Sequence, residues 1–141
     1  MLADWAWSDR SRAKDIRNLR ERAHEAEKLL RECWDIRSRT LTNGWRLPDT
    51  QSRLGFAILA VVVSDPDLPL DMRLSKIEEA QTFLLRGLDG LEKGDERPAK
   101  YRRYALERLV RLYEAWDELA PNTGKANQAA EWKRKLVELD P

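Results

Sequence analysis

Leu106-Glu-Arg-Leu109-Val110-Arg-Leu112-Tyr113-Glu-Ala-Trp116, followed after Ala120-Pro-Asn-Thr-Gly124 by Ala129-Ala130-Glu131-Trp132-Lys-Arg-Lys-Leu136-Val137-Glu-Leu139-Asp140-Pro141, decides the fold. Each half places apolar residues three and four apart, the spacing of one helix face. The break carries proline and glycine, which end helices. Two short helices of this kind cannot bury their apolar stripes alone. They need a neighbouring pair to stack on, so the chain reads as a series of helical hairpins.

Working outward, the sequence predicts five helices. The first spans about 8–41, with Ile16, Leu19, Ala23, Ala26, Leu30, Cys33 or Trp34, Ile36 and Leu41 along one face and Ser8 or Asp9 as its cap. Thr42-Asn43-Gly44 stops it. The second begins near Pro48-Asp49-Thr50, with Asp49 or Thr50 as the expected cap, and carries Leu54, Ile58 and Val61 or Val62. Ala60-Val-Val-Val63 alone would suit a strand, but no other segment offers a strand to pair with. The third spans about 71–93, the fourth 97–119 and the fifth 125–139. The 141 residues therefore form one all-α domain: a long first helix and the helix pairs 49–93 and 97–139.

Composition limits the function. Hydrophobic residues make up 42% of the chain and charged residues 36%, and 26 basic residues face 25 acidic ones. That balance argues against a nucleic-acid or membrane-surface binder, whose affinity comes from a basic excess. Cys33 is the sole cysteine, which excludes an intramolecular disulfide and a cysteine-built zinc cage. The N-terminal stretch is broken by Asp4 and Asp9, unlike a secretory leader, and Phe56–Val63 is too short to span a bilayer. The expected location is cytoplasmic.

The chain repeats itself. Ala26-Glu-Lys-Leu29-Leu30-Arg-Glu-Cys33-Trp34-Asp35 lies over Ala80-Gln-Thr-Phe83-Leu84-Leu-Arg-Gly87-Leu88-Asp89 without a gap, and Arg53-Leu54-Gly55-Phe56-Ala57-Ile58 lies over Arg108-Leu109-Val110-Arg111-Leu112-Tyr113. Ala129, Leu136 and Pro141 give a third copy of the second helix. On these strings the chain resembles tetratricopeptide arrays of the kinesin-light-chain-like type. It is similar to the C-terminal arrays associated with planctomycete serine/threonine kinases. The resemblance covers about residues 23–141 and implies a short right-handed α-solenoid of antiparallel helix pairs. The joins Ile58–Ala80 and Trp116–Ala129 are longer than such repeats use, predicting long loops near 59–79 and 117–128. No kinase motif is present, so kinase activity is not implied.

Candidate chemistry is sparse. His24 and Cys33 are nine positions apart on one helix, about 180° around it, which argues against a catalytic or metal pair. Cys33 reads as a small core residue and His24 as a surface residue. Glu78 and Glu79 fall on an exposed face near Lys76 and lack a companion nucleophile. Trp116 and Trp132 are expected to pack together, Trp34 to do the same in the first copy, Trp45 to plug a helix junction, and Trp5 and Trp7 to cap the N-terminal end or form an interface. The sequence gives no reason to expect an enzyme, a cofactor or a metal.

The resemblance implies that the first helix of each pair lines a concave face. It puts Ser52, Arg53 and Phe56 of the second helix, and Tyr104, Arg108 and Arg111 of the fourth, in that groove. Arginine forks suit carboxylates, and aromatic rings supply contact area, so the expected ligand is an acidic peptide or protein. Arg53, Phe56, Tyr104, Arg108 and Arg111 are the candidate partner-binding residues of a non-catalytic interaction scaffold. The alternatives are a homodimer through the unpaired first helix and a remnant regulatory repeat of a kinase-linked signalling protein.

Overall fold

In a computed structural model, the structure describes residues 13–40, 44–93 and 99–139, with side chains from Arg17 onward. Five helices follow in order: α1 Ala13–Thr40, α2 Arg46–Ser64, α3 Leu70–Lys93, α4 Ala99–Leu119 and α5 Lys125–Leu139. No strand occurs among the described residues. Expectations for residues 8–12, Leu41, Thr42, Asn43, 97–98 and both Trp5 and Trp7 lie outside them.

α2 is the centre. It packs against α1, α3 and α4, while α4 also carries α5. Helices that are apolar on most sides are those enclosed by others. Leu54, Ile58 and Val61 are fully buried, and Leu59 and Val62 nearly so. The valine run is helical because neighbours cover it on several sides. α2 starts earlier than expected, at Arg46, and Trp45 caps it without a side-chain hydrogen bond. Asp49 and Thr50 are therefore not caps: Asp49 ends the first turn and Thr50 begins the second. Thr50 Oγ1 donates to the Arg46 carbonyl (2.8 Å) and accepts from Arg37 Nη1 (2.7 Å), tying α1 to α2.

α2 and α3 approach closely at two glycines. A Cβ on Gly55 would lie 2.8 Å from Leu84 Cγ and 2.9 Å from the Ala80 carbonyl oxygen. One on Gly87 would lie 2.8 Å from the Pro48 carbonyl oxygen and from Ser52 N. Only glycine lets the two backbones meet this closely.

The long loops expected near 59–79 and 117–128 are absent. α2 continues to Ser64 and α3 begins at Leu70; α4 continues to Leu119 and α5 begins at Lys125. The repeat copies mark where core residues recur, not where helices begin, so they overstate the joins. Asn122 and Gly124 turn the second join with φ 64° and 85°. Asn tolerates this left-handed region better than most residues, and Gly enters it freely.

The described tryptophans seal junctions. Trp45 stacks on Tyr101 of α4 (4.3 Å between centroids, 19°), and Trp34 meets Phe83 edge-on. Trp116 stacks on Tyr113 at 4°, and Trp132 packs against the core cluster that contains Trp116. Cys33 is half-buried and free, at the edge of the core rather than within it.

α1 is held differently from the rest. Among its described side chains only Leu19 and Ala23 are fully buried. Polar bridges do much of the work. Glu27 accepts from Arg31 (2.9 Å) and Lys76 of α3 (3.0 Å), and Arg31 reaches Glu79 (2.7 Å). His24 Nε2 lies 2.8 Å from the Asp65 carboxylate, and Arg20 pairs with Asp67. Burial pushes the Glu27 carboxyl up, but Lys76 and Arg31 outweigh it and hold it below the ordinary carboxylate value. Burial acts likewise on Asp65, where His24, the Asp67 N–H and Arg20 prevail.

Carboxyls held low in the fold contribute stability that is complete above about pH 5 and is lost as pH falls through their folded values. Urea denaturation across pH 7 to 3 is therefore expected to show stability dropping below about pH 5. Glu27→Gln with Asp65→Asn should be less stable at pH 7 and change less with pH. An unaltered pH slope in that variant would remove these two carboxyls from the account.

Candidate functional site

α1, α2 and α4 enclose a groove of about 500 Å³. Leu19, Ala23, Ala26 and Leu30 form its α1 wall, and Phe56, Ala57 and Ala60 its α2 wall. Arg22, Arg53 and Arg108 supply its charge. A smaller hollow of about 130 Å³ adjoins it and is lined by Phe56, Tyr104, Glu107, Arg108 and Arg111. Phe56 and Arg108 belong to both.

The five candidate residues thus come together on one surface. Arg53 is half-exposed and bonds Asp49 Oδ2 at 3.0 Å, an i,i+4 pair on α2. Tyr104 is 41% exposed and meets Tyr101 edge-on. Arg111 lies on the rim of the smaller hollow. Arg108 is the pivot. Its guanidinium carbon lies 5.9 Å from the Phe56 ring centre and 6.0 Å from that of Tyr104. Cations near aromatic faces at such distances are attracted by the ring quadrupole. Its Nη1 donates to Ser52 Oγ at 2.9 Å, and Ser52 itself is fully buried. Ser52 therefore does not face a ligand; it supports Arg108 from behind.

The electrostatics are unbalanced. Asp49, 3% exposed, is the carboxylate beneath both Arg53 and Arg108. Its Oδ1 lies 3.9 Å from Arg108 Nη1, beyond hydrogen-bond reach, and accepts no hydrogen bond. Burial pushes the Arg108 guanidinium below its ordinary value, and Asp49 opposes this without cancelling it. Arginine nevertheless stays charged at any physiological pH. Asp49 and Glu107 are the carboxylates acting on Arg108, and against the guanidiniums of Arg22, Arg53 and Arg108 they leave the groove positive.

The other candidate chemistry is dispersed. His24 engages Asp65, and Glu79 engages Arg31; Glu78 is exposed. Among the described residues no group of three His, Cys, Asp or Glu side chains is placed to hold a metal ion. No described helix is long and apolar enough to cross a membrane. Sequence reasoning missed the α1 wall, because its residues carry the same apolar pattern as a core face. It also missed Asp49, whose i,i+4 spacing to Arg53 was the available signal.

Ser52→Ala is expected to leave Arg108 buried with a hydrogen bond lost, lowering stability by about 1–3 kcal/mol in urea denaturation. No change in the unfolding midpoint would show that Ser52 does not hold Arg108.

No protein-family model matches the chain, and no curated protein or solved structure shows significant similarity to it.

Proposed function

We propose that the chain is a non-catalytic interaction module of the tetratricopeptide-like type, and that its groove takes an acidic, apolar-centred peptide or protein segment. The observation that carries this reading is the position of Arg108, bracketed by Phe56 and Tyr104 at the edge of an apolar groove and short of negative charge. An aliphatic side chain fits the Leu19, Ala23, Ala26 and Leu30 wall. A flanking carboxylate meets the Arg53 and Arg108 forks and supplies the missing countercharge.

The repeat reading has its own support. Tetratricopeptide units place Leu-Gly in the first helix and a small residue, three others and a large apolar residue in the second. Leu54-Gly55 on α2 and Ala80 with Leu84 on α3 follow that order, and Gly55 abuts both Ala80 and Leu84. Leu109 and Tyr113 on α4 and Ala129 on α5 are buried at the matching places of the next pair. A scaffold of this kind works by shape, which fits a site without a nucleophile–base pair.

Selection of a displayed peptide library on the purified chain is expected to recover sequences with Asp or Glu beside an aliphatic residue. Their affinity, by calorimetry, should fall at least about tenfold with Arg53→Glu and with Phe56→Ala, as for anchor residues at interfaces. Recovery of basic binders, or binders indifferent to Arg53→Glu, contradicts the reading.

A further inference from the structure

α1 carries two adjoining apolar seams, and only one is used. Leu30 and Trp34 pack against the core. Beside them Ala26, Leu29, Cys33 and Ile36 step by three, four and three residues, the a/d order of a coiled-coil seam. Leu29 is 55% exposed and Ile36 56%, among the most exposed large apolar side chains described. Cys33 is half-buried. Leu29 and Ile36 point away from the core, and no described helix covers them.

We infer that this seam is a homodimer interface, covered by α1 of a second copy in antiparallel order. Two features select a second copy over an unrelated partner. The first is shape. A two-fold axis midway between Leu29 and Cys33 sets Ala26 opposite the partner's Ile36 and Cys33 opposite the partner's Leu29. Each small residue then meets a large one, which lets the layers interdigitate. Parallel order would instead set Ala26 against itself and Leu29 against itself.

The second feature is charge. Glu25 flanks the seam at its N-terminal end, Glu32 at its middle and Arg39 toward its C-terminal end; all three are exposed. Antiparallel order brings Glu25 near the partner's Arg39, a pair that symmetry forms twice, and sets Glu32 near the partner's Glu32 once, so attractions outnumber the one repulsion. Arg39 now bonds Asp35 on its own helix at 2.7 Å, with both side chains about 70% exposed. So exposed a pair is worth little and exchanges readily. The seam adjoins the groove at Ala26, which lines both, but Leu29 and Ile36 do not line the groove, so the two sites are testable apart.

Sedimentation of the full chain from low to high micromolar concentration reads the association directly. The parent is expected to dimerise, and Leu29→Glu with Ile36→Glu to weaken association at least about tenfold. Its thermal midpoint, taken at monomeric dilution, should stay that of the parent, because both positions are already exposed. Arg53→Glu with Phe56→Ala should dimerise as the parent does. Glu25→Arg and Arg39→Glu should each weaken the dimer, and together restore it. A parent that stays monomeric overturns the inference, as does a dimer indifferent to Leu29→Glu with Ile36→Glu. A lower midpoint for that variant at monomeric dilution also overturns it, since the seam would then be covered from within the chain. Additive loss in the charge exchange overturns the antiparallel order.

Discussion

The close approach of α2 and α3 at Gly55 and Gly87 is the constraint on which the remaining structure depends. Without side chains there, the Ala80 carbonyl and the Leu84 side chain come against the α2 backbone. That contact closes the core around Leu54, Ile58, Leu84 and Leu88. It also fixes the turn of α2 about its own axis. With α2 so turned, Leu54 and Ile58 face inward, while Arg53 and Phe56 line the groove. A helix rotated by one residue would move about 100° and lose both arrangements.

α1 and α4 then complete the groove by different means. α4 is locked by deep apolar burial at Leu109, Leu112 and Tyr113, and by Trp45 stacked on Tyr101. That rigidity gives Arg108 a fixed position over Ser52. α1 rests on fewer buried apolar groups and more ion pairs, which are weaker when solvent reaches them. One wall of the groove is thus firm and charged, and the other apolar and polar-tethered. Such a wall can adjust to a ligand at low cost, and the same helix exposes the seam read as a dimer contact.

Much of the fold could be read from the sequence because helix periodicity is local. The stripes of α4 and α5, and the punctuation at Ala120-Pro-Asn-Thr-Gly124, placed those helices almost to the residue. The start of α2 was missed because Pro48 and Asp49 look like boundary residues, although a first turn tolerates both. The two joins were misjudged because repeat copies align core positions and say nothing of how early a helix starts. The five groove candidates fell on one surface because residues three and four apart share a helix face. The α1 wall stayed hidden, since an apolar face reads the same whether it meets a core or a cleft. Asp49 as a buried counter-ion depends on α4 arriving beside α2, which no local pattern encodes.

The central claim is that backbone contact at Gly55 sets the whole stack. The most direct test is the urea stability of Gly55→Ala. A new methyl group must displace Leu84 or the Ala80 carbonyl, so stability should fall by about 1–3 kcal/mol. That loss runs against the roughly 1 kcal/mol by which alanine normally favours a helix over glycine. Unchanged or higher stability would mean that α2 and α3 are not held this closely, and the groove built on their contact would lose its basis.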